Sequence, residues 1–264
     1  MTIFYWLHFL PPNPIAWSVG NLNIYWYGIT LAIAIIFAVL VFLYLGRKND
    51  LSSDNILDVS TWLIIGGIIG ARLYDVVLEL PYYLNHPIDI FKIWQGGLAI
   101  HGGIIGGVII LIIFSKLKRL DVWKIIGALV PGLALGQAIG RWGNWFNQEL
   151  FGRPTGLPWG IPIDFLKRPI GYESYDYFQP TFLYESLSLL VVAIILFILA
   201  KYKKINSKII LAWYLITYGL IRFILEFIKI DTTPTFLNLR WPQVASLVMI
   251  IIGGYFIIKT KKRS

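Results

Sequence analysis

The sequence predicts an all-α, polytopic membrane protein with seven transmembrane helices. The N-terminus is expected outside, the C-terminus in the cytoplasm, and a small cap on the extracytoplasmic side. Three observations carry this expectation. Hydrophobic residues make up 57% of the chain and charged residues only 14%, against roughly 45–50% and about 25% in soluble domains. Runs such as "IYWYGITLAIAIIFAVLVFLYLG" and "QVASLVMIIIGGYFII" are long enough to cross ~30 Å of hydrocarbon. The lysines and arginines, finally, fall in short clusters between apolar runs rather than along a polar surface.

Taken in order, the apolar segments place spans near 24–45, 57–77, 97–115, 124–146, 181–200, 209–228 and 243–258. The N-terminal "MTIFYWLHFLPPNPIAW" has no basic n-region and breaks at Pro11, Pro12 and Pro14, so it does not read as a cleavable signal peptide. Residues 78–96 form a short aromatic connection. Residues 147–180, rich in Pro, Gly and aromatics, are expected to fold as the cap. The whole chain, 1–264, reads as a single integral membrane domain with the cap inside it.

Basic residues orient the spans. Fourteen of them (Arg47, Lys48, Lys116, Lys118, Arg119, Lys124, Lys201, Lys203, Lys204, Lys208, Lys259, Lys261, Lys262 and Arg263) fall on one side. Six (Lys92, Arg153, Lys167, Arg168, Lys229 and Arg240) fall on the other. The positive-inside rule makes the richer side cytoplasmic. The net charge of +9 therefore reports topology and lipid headgroups, and no nucleic acid partner is expected. With no cysteine the chain has no disulfide, no thiolate metal site and no thiol nucleophile of its own.

Glycines four apart (Gly66 and Gly70, Gly102 and Gly106, Gly103 and Gly107, then Gly132, Gly136 and Gly140) suit close helix packing in lipid and predict a compact core of spans two, three and four. Trp6, Trp17, Trp26, Trp94 and Trp159 read as interfacial anchors, and His8 as incidental. Arg72 with Asp75, close on one helix end, reads as a structural pair.

The remaining polar groups fall at the outer ends of the spans. They are Tyr27, His101, Arg141 with Asn144 three residues on, Tyr184 and Glu185, and the stripe Tyr218, Arg222, Glu226 spaced by fours. At ~1.5 Å per residue, His101 and Arg222 each lie within about 10 Å of the outer boundary. Such groups satisfy one another around a shared cavity. Two guanidiniums there suit a phosphate, which their forks bind bidentately, and a phospholipid headgroup is the abundant phosphate at that depth. The residues alone thus lead to an outer-leaflet phospholipid site without separating binding from chemistry. A transporter is the rival reading, disfavoured because no repeat is detectable and the charges avoid the midplane.

The stretches "GRWGNWFNQELFGRPT", "GGLAIHGG", "PTFLYESL" and "YGLIRFILEF" resemble the bacterial prolipoprotein diacylglyceryl transferase family over nearly the whole chain. One departure is Gln179-Pro180, where the family usually has His-Pro; a histidine there is not required for chemistry in this chain. The resemblance implies transfer of the diacylglyceryl group of phosphatidylglycerol to the lipobox cysteine thiol of a prolipoprotein held by its signal peptide. A thioether forms and glycerol phosphate leaves, as the first step of bacterial lipoprotein maturation in the cytoplasmic membrane. It implies no cofactor and no metal ligands. It assigns Arg141 and Arg222 to the phosphate and His101 to activation of the thiol. Asn144, Glu149 and Gly152 would shape the headgroup pocket, with Tyr27, Tyr218 and Glu226 lining or orienting it. The partners it implies are phosphatidylglycerol, the prolipoprotein signal peptide and membrane lipids.

Overall fold

The structure is a computed structural model that describes residues 11–20, 22–202 and 205–261. Trp6, His8, Lys203, Lys204, Lys262 and Arg263 lie outside the described residues. Among the described residues, seven helices are long and apolar enough to cross a membrane: α1 (Trp26–Lys48), α2 (Ser53–Leu78), α4 (Ile100–Leu117), α5 (Val122–Asn147), α6 (Thr181–Lys201), α7 (Ser207–Leu225) and α8 (Trp241–Lys261). The protein is a multi-pass membrane protein. Large side chains such as Ile36, Ile104, Val191 and Ile251 stay exposed, the reverse of a soluble fold, because lipid is as apolar a neighbour as another helix. Hydroxyls inside the spans bond their own backbone: Ser60, Ser115 and Thr217 each donate to the carbonyl four residues earlier.

The chain forms two compact units, one of residues 46–126 and one of residues up to 45 with those from 127 on. In the first, α2 and α4 pack through glycine. A Cβ added at Gly70 would lie 2.4 Å from the Gly102 carbonyl oxygen, and one at Gly106 would lie 2.2 Å from that of Gly66. Between these helices the expected aromatic connection folds as the short helix α3 (Leu80–Asn85) and two 3-10 turns. Arg72, buried in α2, holds this connection. Its guanidinium donates to the carbonyls of Ile90 (2.9 Å), Gly96 (2.8 Å), Gly97 (2.9 Å) and Asp89, and pairs with Asp75 at 3.6 Å. Arg72 therefore has a structural role, holding four carbonyls of the connection at once.

The second unit holds most of α1 and α5 with all of α6, α7 and α8. The expectation that the fourth span's glycines pack with spans two and three is corrected here. Gly132 and Gly136 face Ala38 and Ala34 of α1, where an added Cβ would lie 2.5 and 3.2 Å from their carbonyl oxygens. Spacing alone shows that a helix is smooth, not which neighbour uses the smooth side. Helices α7 and α8 meet the same way: a Cβ at Gly219 or Gly253 would lie 2.9 Å from the Ser246 oxygen or 2.8 Å from the Ala212 oxygen.

Helices dominate, but among the described residues three two-stranded antiparallel ribbons accompany them: β1 (Ile15–Val19) with β2 (Leu22–Tyr25), β3 (Ile161–Pro162) with β4 (Tyr177–Phe178), and β5 (Thr235–Phe236) with β6 (Leu239–Arg240). Residues 147–180 carry the middle ribbon over a small core of Trp145, Phe151, Ile161, Ile163, Phe178, Phe182 and Leu183. Gln148 locks this segment with its whole side-chain amide. Its Nε2 donates to Asp164 Oδ2 at 2.6 Å, and its Oε1 accepts from the Asp164 amide at 2.8 Å. The sixth span ends at Leu225, three residues before its expected end at 228, and residues 226–240 fold as an ordered return to α8.

Candidate functional site

Five helix ends of the second unit bring polar groups to one place: the first turn of α1, the last turns of α5 and α7, and the starts of α6 and α8. Glu185, five residues into α6, is 1% exposed. A carboxylate so buried stays charged only if cations and donors replace water. Three cations do so: Arg141 at 2.5 Å, Arg222 at 3.3 Å and Lys229 at 3.6 Å. Arg222, in the last turn of α7 where the helix dipole favours a cation, also reaches Glu226 one turn on, at 3.2 Å. Glu226 is equally buried and takes Arg240 at 3.3 Å, and Arg240 pairs further with Asp231 at 3.2 Å. Arg240 also donates to the carbonyls of Lys229 (2.8 Å) and Glu226 (3.1 Å), which fixes the return loop. Among the described residues of this ion-pair network, four cations share three carboxylates. Within these ion pairs one positive charge is in surplus; Glu149, exposed and bonded by Asn144, is not one of their carboxylates.

The rest of the site extends from Arg141. Its Nη1 donates to Asn144 Oδ1 at 3.2 Å, and Asn144 donates to Glu149 at 2.7 Å, so the predicted shared face of Arg141 and Asn144 is a real contact that also orients Glu149. Tyr27 lies against the same turn of α5, where a Cβ on Gly143 would meet its ring at 2.7 Å. Tyr218 stacks on Tyr214 (5.7 Å between ring centres), whose hydroxyl donates to Gln137 at 2.9 Å. Gly152 is buried: its amide donates to the carbonyl of Gln179 within the 147–180 segment, it bridges Lys229 of the return loop, and an added Cβ would lie 2.8 Å from Ile228 Cγ2. The side chains of Arg141 and Arg222 keep 21% and 17% of their surface exposed, whereas Glu185 and Glu226 beneath them are closed off. His101 belongs to residues 46–126; it is exposed in the first turn of α4, its ring 6.0 Å from that of Tyr74.

The family model for prolipoprotein diacylglyceryl transferase matches residues 14–259. The chain belongs to that family. It is 42% identical over 250 residues to the phosphatidylglycerol–prolipoprotein diacylglyceryl transferase of Synechocystis sp., covering 93% of this chain and 88% of that one. The protein of the same description from Acaryochloris marina is 42% identical over 254 residues (96% and 92%), and that from Finegoldia magna 39% over 250 residues (94% and 96%). As a diacylglyceryl transferase family member the chain is a transferase.

Four members of the network were not assigned by sequence: Glu185, Lys229, Asp231 and Arg240. Glu185 was visible as a carboxylate inside an apolar span, the signal that marks it, yet nothing in one sequence shows that two arginines from other helices meet on it. Lys229 and Arg240 count as loop cations by spacing, whereas the fold returns residues 226–240 onto the cluster.

Proposed function

We propose that Arg141 and Arg222 form the phosphate site at which this family member moves the diacylglyceryl group of phosphatidylglycerol to a prolipoprotein. The observation that carries the reading is the surplus positive charge of the ion-pair network, two of whose cations are the partly exposed Arg141 and Arg222. A phosphodiester carries one negative charge, matching that surplus, and its oxygens suit paired N–H donors. The acceptor is the thiol of a lipobox cysteine. The sulfur attacks the terminal glyceryl carbon bonded to the phosphate oxygen; the C–S bond forms as the C–O bond breaks, and glycerol phosphate leaves with the electron pair. Donors already fixed by Glu185 and Glu226 meet the charge that grows on the departing oxygen without reorganising. Asn144 and Glu149 shape the pocket beside Arg141, and Tyr27, Tyr218 and Gly152 form its walls and support.

The site faces the outer leaflet of the bacterial plasma membrane. Lys201, Lys208, Lys259 and Lys261 occupy the opposite ends of α6, α7 and α8, in keeping with a cytoplasmic face there. For the thiol proton we propose His101 as the acceptor, a role that rests on imidazole being the commonest general base. The test is the purified protein in detergent with phosphatidylglycerol and a lipobox peptide, followed by mass spectrometry; a diacylglyceryl thioether is expected, and unmodified peptide throughout would overturn the reading. In that assay His101→Asn should lose about 10²–10⁴-fold, less as pH approaches the free thiol's pKa of ~8.5. A pH-independent loss would instead remove His101 as the base.

A further inference from the structure

Lys229 stands in the return loop beyond α7, outside the spans, with its side chain 1% exposed and its Nζ without a hydrogen-bond partner among the described residues. Among the described residues its one ion pair is with Glu185 of α6, at 3.6 Å. Facing it besides are three charged groups: Arg141 of α5, and Arg222 and Glu226 of α7. Arg240 fixes its backbone by donating to its carbonyl at 2.8 Å. An ammonium so enclosed cannot touch a lipid or a thiol, so it acts through Glu185 or not at all.

We propose that Lys229 is a positioning residue whose ammonium supplies the surplus positive charge of the phosphate site, and that the site loses its hold on an anionic lipid when Lys229 gives up its proton. With the ammonium present, Glu185 is shared by three cations, and both guanidiniums retain charge to spend on a phosphate. With a neutral amine, three cations face three carboxylates among the described residues of the network. Glu185 then draws Arg141 and Arg222 inward, and nothing remains in surplus. The proton is lost in an accessible range. Burial pushes the Lys229 ammonium down to about 8, against the upward pull of Glu185, with the nearby Arg222 and Arg141 lowering it further. Arginine at the same place stays charged throughout.

This inference rests on the phosphate-site reading above, and the experiment separates the two. The apparent KM for phosphatidylglycerol, as mole fraction in mixed micelles at saturating lipobox peptide, is measured from pH 6.5 to 9.5. The phosphodiester does not titrate in this range, and thiol ionisation is confined largely to kcat. Wild type should show KM rising about tenfold from pH 7 to pH 9, the linkage expected when binding needs one proton on a group of pKa near 8. Lys229→Arg should hold KM flat. Lys229→Met, permanently neutral, should show the raised KM already at pH 7 with no further rise, and serves if the arginine variant fails to fold. Identical pH profiles for wild type and Lys229→Arg, or a wild-type KM at pH 7 in Lys229→Met, would overturn the proposal. So would a Lys229→Arg protein that binds lipid normally but turns over at no pH, which would make Lys229 a proton acceptor. Failure of the phosphate reading looks different: Arg141→Lys and Arg222→Lys would then bind and transfer normally whatever Lys229 does.

Discussion

A carboxylate as buried as that of Glu185 stays ionised only while cations surround it, so Glu185→Gln removes the shared acceptor of Arg141, Arg222 and Lys229 at once. Breaking a buried ion cluster from one side costs about 3–5 kcal/mol, because the remaining charges are left uncompensated. The variant should therefore melt well below wild type in detergent as well as lose activity. An unchanged melting temperature would mean that the three cations find other partners. At this scale the sequence was informative about charge and poor about pairing. An arginine or glutamate inside an apolar run is conspicuous because lipid makes it costly. The identity of its partner depends on how five helix ends are brought together, which no local pattern records.

At the scale of elements, the spans were legible because lipid demands unbroken apolar runs with every backbone group bonded within the helix. The ribbon of residues 147–180 was legible only as a segment rich in turn-forming residues. Its hydrogen bonds join distant stretches, Gly152 to Gln179 and Arg153 to Ile228. Glycine spacing predicted close packing without distinguishing the glycines that carry it, and substitution tells them apart. Gly102→Ala would place a Cβ 2.2 Å from the Gly70 carbonyl oxygen, backbone that cannot swing aside, whereas Gly107 has nothing within 4 Å. Gly102→Ala should push α2 and α4 apart and lower thermal stability in detergent, by the ~1–3 kcal/mol of overpacking or more. Gly107→Ala should leave it unchanged or slightly raised, since alanine favours the helix by about 1 kcal/mol. Equal effects at the two positions would contradict this packing.

For the whole molecule, the central matter is which face of the membrane carries the cluster and what the cluster binds. Single cysteines on this cysteine-free chain test the first. Leu166 is 94% exposed and Tyr202 63% exposed, beyond opposite ends of α6. Leu166→Cys should react with an impermeant maleimide added to intact cells, and Tyr202→Cys only after permeabilisation; the reverse pattern would put the site on the cytoplasmic side. The second is tested most directly by the rate of thioether formation on a lipobox peptide by wild type, Arg141→Lys and Arg222→Lys at pH 7. Lysine keeps the charge but cannot reproduce a planar fork shared between a carboxylate and a phosphate. Both variants should melt near the wild-type temperature and lose about 10²-fold or more in rate, as when a preorganised donor to a developing oxyanion is removed. Folded variants that transfer the diacylglyceryl group at the wild-type rate would contradict the assignment of these arginines to the phosphate.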